Sequence, residues 1–166
     1  MSEVQAVTAY VGLGSNLAHP RQQVEAALQA LTEFRDSRLL SRSSLYRSRA
    51  IGPRNQPDYI NAVAGLSTRL DPDALLDALQ AVEQTHRRRR DGERWGPRTL
   101  DLDLLVYGDR QIDTPRLRVP HPEMANRAFV LFPLSEIAPG WMEIAGIGPL
   151  QRLTQVLSGD GVERLQ

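Results

Sequence analysis

The chain has 166 residues, 41% of them hydrophobic and 24% charged, with 20 basic and 20 acidic residues and no cysteine. That length and balance predict one globular domain, residues 1–166, able to bury a core, and they exclude disulfides, thiolate metal sites and a cysteine nucleophile. Every basic residue is an arginine, which also excludes a lysine-ended phosphate loop and a lysine Schiff base; the absence of a long apolar run or leader predicts a soluble, cytoplasmic protein without a membrane partner.

Residues 7–13 read as a first strand, followed by a turn at Gly14-Ser-Asn16 and a helix opening near Pro20. Val24, Ala27, Leu28, Leu31 and Phe34 recur at helical spacing and form its buried stripe. A second strand is expected within residues 39–47. The turn-rich stretch Gly52-Pro-Arg-Asn-Gln-Pro-Asp58 leads into a third strand over residues 59–66. Asp71 before Pro72 is an N-cap with proline at the first helical position, and Leu75, Leu76, Leu79 and Val82 give that helix its apolar side. Gln80 and Glu83, three apart, share another face. This helix ends in the run Arg87–Arg90, which its C-terminal dipole favours, and residues 92–98 form a second long loop.

Next comes Leu100-Asp-Leu-Asp-Leu-Leu105, closed by Gly108-Asp109. Side chains alternate across a strand, so Leu100, Leu102 and Leu104 share one face and Asp101 and Asp103 the other. Two carboxylates about 7 Å apart at their Cα atoms repel unless a cation lies between them, and oxygen ligands suit Mg²⁺. From Arg87 to Arg98 six arginines face only Asp91 and Glu93, a local balance of +4 matched to a polyphosphate. The bland reading of Asp101 and Asp103 is the solvated face of an edge strand; aspartate's poor fit to strands and the neighbouring Arg94 and Arg98 favour a metal-polyphosphate site.

After the aspartates, residues 119–134 read as a loop and a short helix interrupted by Pro133, and a last small helix over residues 150–157 precedes a frayed end. The order strand, helix, strand, strand, helix, strand favours an α+β sandwich with an antiparallel sheet. Tyr59 and Asn61 share one strand face, a ring beside an amide that can hold a flat heterocycle, although a core tyrosine with a nearby amide is as common. Gly12-Leu-Gly-Ser-Asn-Leu17 lacks the third glycine and the acidic partner of a dinucleotide site; its glycines are expected to serve a tight turn. Phe129 is expected in the core. His121, between two prolines, cannot join a helical zinc pair, and a phosphate contact near Arg116 and Arg127 competes with a plain surface histidine. Neutral charge and a single nearby aromatic, Trp95, argue against nucleic acid as a partner.

Taken in order, Gly14-Ser-Asn-Leu17, Gln56-Pro-Asp-Tyr-Ile-Asn61, Arg94-Trp-Gly-Pro-Arg-Thr-Leu-Asp-Leu-Asp103, Val119-Pro-His-Pro122 and Asn126-Arg-Ala-Phe129 resemble the 6-hydroxymethyl-7,8-dihydropterin pyrophosphokinase family of folate biosynthesis over residues 10–139. The resemblance implies a ferredoxin-like α+β sandwich and transfer of pyrophosphate from ATP, the co-substrate, to the hydroxymethyl group of the pterin, releasing AMP. It implies two Mg²⁺ ions on Asp101 and Asp103, with Arg88 and Arg98 joining these as catalytic residues. Pterin contacts implied are Ser48, Arg49, Ile51, Tyr59, Asn61, Trp95, Arg127 and Phe129. ATP contacts implied are Gln80, Glu83, Arg90, Arg98, Leu104, Arg116 and His121. Trp95 belongs to a loop expected to close over both substrates, ATP and the pterin are the only expected partners, and a monomer is expected. The chain departs from the family at Ser48-Arg-Ala50, where relatives carry Thr-x-Pro, and at Asp91 and Arg118. A metal-dependent phosphoesterase or nucleotidyltransferase, and an arginine-rich RNA-binding module, remain as alternatives.

Overall fold

A computed structural model describes residues 5–16, 19–49, 57–88, 100–159 and 161–165, the side chains of Arg87 and Arg88 left aside. In chain order the elements are β1 (Val7–Ser15), α1 (Pro20–Leu31), β2 (Ser37–Arg42), β3 (Tyr46–Ser48), β4 (Tyr59–Thr68), α2 (Pro72–Arg88), β5 (Asp101–Tyr107), β6 (Ile112–Asp113) and β7 (Arg118–Val119). A 3-10 turn at Met124–Asn126 leads to α3 (Ala128–Ile137), β8 (Glu143–Ile144), β9 (Gly148–Pro149), α4 (Leu150–Val156) and β10 (Val162–Arg164).

Six strands form one antiparallel sheet in the order β10-β3-β4-β1-β5, with β2 also paired to β4. Alternation divides their side chains between two cores. Ala9, Val11 and Leu13 of β1, Ile60, Ala62, Ala64 and Leu66 of β4, and Leu100, Leu102 and Leu104 pack against Val24, Leu28 and Leu31 of α1 and Leu75 and Leu79 of α2. On the opposite face Tyr10, Val63, Leu105 and Val106 meet Val130, Leu131 and Leu134 of α3, with Leu150 of α4. Leu31, Leu66, Leu75 and Leu79 are fully buried, and each such side chain contributes about 1.5–3 kcal/mol from water exclusion. The result is the α+β sandwich with an antiparallel sheet that the element order favours, here with helices on both faces.

Several boundaries differ from expectation. β1 runs on through Gly14 and Ser15, because as the central strand it is paired on both sides, Gly14 opposite Asn61 and opposite Asp101. Residues 39–47 hold parts of two strands, β2 and β3, rather than one. Pro133 lies inside α3 instead of interrupting it. A mid-helix proline costs about 3 kcal/mol, and burial of Val130, Leu131, Pro133 and Leu134 offsets it. The end expected to fray instead forms β10, whose Val162 pairs with Ser48. The cap at Asp71 is as expected, its Oδ1 accepting the Ala74 N–H at 2.8 Å. Among the described residues no helix is long and apolar enough to cross a membrane.

Candidate active site

The α3 side of the sheet opens at one end into a cavity of about 250 Å³, whose floor is three adjacent strands. Gly12 and Gly14 of β1 lie at its centre, opposite Asp103 and Asp101 of β5; on the other side Gly14 faces Asn61 of β4. Both glycines are extended rather than turned, so their role is space and not backbone freedom. A β-carbon on Gly14 would sit 3.0 Å from Nδ2 of Asn61, and one on Gly12 would sit 3.4 Å from the Leu105 methyls. This corrects the expected turn, and it is a contribution to the site that the sequence reading missed; two glycines two apart inside a strand pattern were the available signal.

Asp101 and Asp103 line the cavity together, each partly exposed, while Leu102 and Leu104 are buried beneath them. A bulge sharpens that division. Tyr10 pairs with Val106 and Val11 with Leu104, which leaves Leu105 as the extra residue. Leu105 then joins the cavity wall, and Leu105 and Val106 both reach the α3 core. The edge strand is held from outside by Glu83 of α2, whose Oε2 accepts the Leu102 N–H at 2.9 Å, between the two aspartates. No group of three histidine, cysteine or acidic side chains that could hold a metal exists among the described residues. The carboxylates among the cavity's described lining residues are Asp101 and Asp103, and carboxylate oxygens are donors of the kind that suits Mg²⁺.

Across the floor, Ser48 of β3 donates its hydroxyl to Oδ1 of Asn61 at 2.6 Å, both residues buried. That bond fixes the amide with its Nδ2 toward Gly14. Tyr59 lies beside it, its phenol pKa raised first by burial and then by the charge of Asp101. Phe129, in the first turn of α3, forms part of the facing wall, with the Arg127 guanidinium 5.6 Å from its ring centroid. Arg49 also lines this end.

His121 completes the acidic end. Its Nδ1 accepts the Glu123 backbone N–H at 3.1 Å, and the His121 backbone N–H donates to the Leu105 carbonyl at 2.9 Å. Burial lowers its pKa, Arg127 lowers it further, and Asp103 and Glu123 oppose them. These surroundings favour the uncharged ring, and with Nδ1 accepting, Nε2 is the nitrogen left to carry its proton. Outside the cavity, Arg116 pairs with Asp77 and Asp73 and touches Oε1 of Gln80 at 3.4 Å. Ser48, Arg49, Tyr59, Asn61, Asp101, Asp103, His121, Arg127 and Phe129 are thus brought to one cavity. Gln80, Glu83 and Arg116 are not among its lining residues. The Leu104 side chain faces the opposite core. Ile51, Arg90, Trp95 and Arg98, and the side chain of Arg88, lie outside the described residues.

The sequence pattern of the 7,8-dihydro-6-hydroxymethylpterin-pyrophosphokinase (HPPK) family matches residues 10–139. The chain belongs to the HPPK family. It is 50% identical over 156 residues to the 2-amino-4-hydroxy-6-hydroxymethyldihydropteridine pyrophosphokinase of Pseudomonas aeruginosa, covering 94% of this chain and 95% of that HPPK. To the Haemophilus influenzae enzyme of the same name it is 51% identical over 132 residues, 80% of this chain and 82% of that one. Among solved structures, Plasmodium falciparum HPPK-DHPS with pterin and p-hydroxybenzoate superposes with a TM-score of 0.70 at 12% identity, covering 93% of this chain. The chain spans 44% of that longer protein, and the likeness establishes the shared ferredoxin-like HPPK fold.

Proposed function

We propose that this protein transfers the pyrophosphoryl group of ATP to the hydroxymethyl oxygen of 6-hydroxymethyl-7,8-dihydropterin, in folate biosynthesis, and that the reaction takes place in the cavity on the α3 side of the sheet. The observation that carries the reading is the convergence there of two alternate carboxylates, Asp101 and Asp103, with an aromatic-and-amide slot made by Tyr59, Asn61 and Phe129. The pterin hydroxyl oxygen forms a bond to the β-phosphorus of ATP and gives up its proton to solvent, the bond from that phosphorus to the oxygen bridging the α-phosphate breaks, and AMP leaves.

Tyr59 and Phe129 hold the flat ring by stacking and Asn61 pairs with its polar edge. Its amide is already oriented by Ser48, so little ordering remains to be done on binding. Asp101 and Asp103 would hold Mg²⁺, which would supply positive charge to offset the negative charge that develops in transfer. His121, whose Nε2 is free of the bond that Nδ1 accepts, and Arg127 face the same volume and supply hydrogen bonds and charge to phosphate oxygens. Gln80, Glu83 and Arg116, beside the outer edge of β5, are assigned to ATP; Leu104 can meet the nucleotide only through its backbone. Arg88, Arg90 and Arg98 are assigned to the phosphates, and Ile51 and Trp95 to the pterin side. No covalent enzyme intermediate is required, since positioning and electrostatics suffice.

Product analysis tests the reading. ATP and the pterin alcohol, supplied with Mg²⁺, are expected to give AMP and the pterin diphosphate, with turnover lost when EDTA removes the metal. Formation of ADP, or of AMP without the pterin product, overturns it.

A further inference from the structure

The two walls of the ring slot belong to different layers, Phe129 to α3 and Tyr59 and Asn61 to β4. Most of what presses α3 onto the sheet is apolar, Val130, Leu131 and Leu134 against Tyr10 and Val63. Such contacts resist separation, but they are non-directional and do little to fix sliding. A directional contact exists two turns further along the helix. Glu136 is seven residues from Phe129, so it shares that side of α3 at about 10 Å along the axis.

The Glu136 carboxylate accepts the Ser44 N–H at 2.9 and 3.1 Å, the Ser44 hydroxyl at 3.1 Å and the Tyr46 hydroxyl at 2.8 Å. Arg164 of β10 stands 3.7 Å away and donates to the Ser44 hydroxyl oxygen at 3.0 Å. One side chain thus ties α3 to the entry of β3 and, through Arg164, to β10. Tyr46 is the cross-strand partner of Asn61, and Ser48, two residues on, is the partner of Tyr59 and the donor to Asn61. The strand pair carrying the polar wall is therefore bonded to the helix carrying Phe129.

We propose that Glu136 is a positioning residue that sets the width and register of the ring slot without touching either substrate. The proposal rests on the pterin reading of that slot. Loss of the clamp lets α3 shift against β3 and β4, so it acts mainly on the pterin: Asp101 and Asp103, assigned to the nucleotide's metal, sit on the far strand β5, and of the phosphate-facing side chains His121 and Arg127 only Arg127, at the start of α3, moves with the helix.

The test measures equilibrium binding of 6-hydroxymethyl-7,8-dihydropterin and of a non-hydrolysable ATP analogue with Mg²⁺ to the full chain, together with kcat at saturating pterin. For folded Glu136→Gln the pterin Kd is expected to rise about tenfold, since displacements near 1 Å can cost more than that. The analogue Kd and kcat are expected to stay within about threefold, a split that general loosening does not give. Tyr46→Phe is expected to act in the same direction, and the double variant to be no worse than Glu136→Gln alone. An unchanged pterin Kd in the folded variant, or equal losses for pterin and nucleotide, overturns the clamp. If Glu136→Gln does not fold, Tyr46→Phe and Ser44→Ala decide on the same readouts. Failure of the unaltered chain to bind the pterin overturns the functional reading itself, and is thereby told apart from failure of the clamp.

Discussion

At the end of the cavity proposed for the ring Ser48 donates to Asn61 at 2.6 Å and both are buried, whereas at the end proposed for the phosphates Asp101 and Asp103 stand partly exposed on an edge strand, and nearby Arg116 is engaged by Asp73 and Asp77. The ring end is ordered by the fold before any ligand arrives. The other end carries two like charges, and on the proposed reading Arg116 exchanges its bridges to Asp73 and Asp77 for the phosphates. Substitutions at the first end should alter affinity for the flat substrate, and those at the second should alter rate.

The largest break in that contrast is expected from Asp101→Ala or Asp103→Ala. Steady-state kinetics should record a fall in kcat of about 10³-fold, with circular dichroism and Tm preserved and pterin Kd within about threefold. Equal effects on rate and pterin affinity would mean that the two ends do not act separately. Asn61→Ala comes next. It removes the edge contact and leaves the buried Ser48 hydroxyl without its acceptor, so calorimetry should show pterin Kd rising about thirtyfold, equivalent to about 2 kcal/mol, while nucleotide affinity holds.

Gly14→Ala is a finer probe, since its new methyl group would lie 3.0 Å from the Asn61 amide nitrogen. Overpacking of this kind costs about 1–3 kcal/mol, and part of it should appear as a several-fold weaker pterin Kd together with a lower Tm. The smallest expected effect concerns acid. Burial raises the Glu136 pKa, but the bonds from Tyr46 and Ser44 and the charge of Arg164 outweigh it and hold the carboxyl below its ordinary 4.5. Its stabilising contribution is present above that ordinary value and is lost as pH falls through the lower folded one. Glu136→Gln should therefore flatten the loss of Tm in that acid window while leaving the curve above pH 6 parallel to that of the unaltered chain.

The carboxylate pair was legible because strand alternation alone places Asp101 and Asp103 on one face, and α1 and α2 because their apolar stripes and the Asp71-Pro72 start follow helical rules. The strands β6 to β9 were not, since two residues are too few for a period. β10 was missed for a related reason: it is an edge strand whose Val162-Glu-Arg164 shows no apolar alternation, and pairing with β3 defines it. Pro133 misled because local propensity predicts a break where burial of Val130, Leu131, Pro133 and Leu134 wins. Gly14 misled because glycine serves turns and close approaches alike, and its neighbour Asn61 lies 47 positions away in sequence. The assignments of Ser48 and Phe129 to the ring came from the family resemblance, as neither residue type announces a ligand. Glu136 carried no signal in sequence; its partners Ser44 and Tyr46 become its partners only when α3 packs on the sheet.

Manganese binding read by electron paramagnetic resonance, in the presence of a non-hydrolysable ATP analogue, tests most directly whether Asp101 and Asp103 hold the divalent ions. The unaltered chain is predicted to immobilise Mn²⁺ in the ternary complex, and Asp101→Asn and Asp103→Asn to lose that signal while remaining folded and binding the pterin. Undiminished Mn²⁺ immobilisation in both variants would contradict the account.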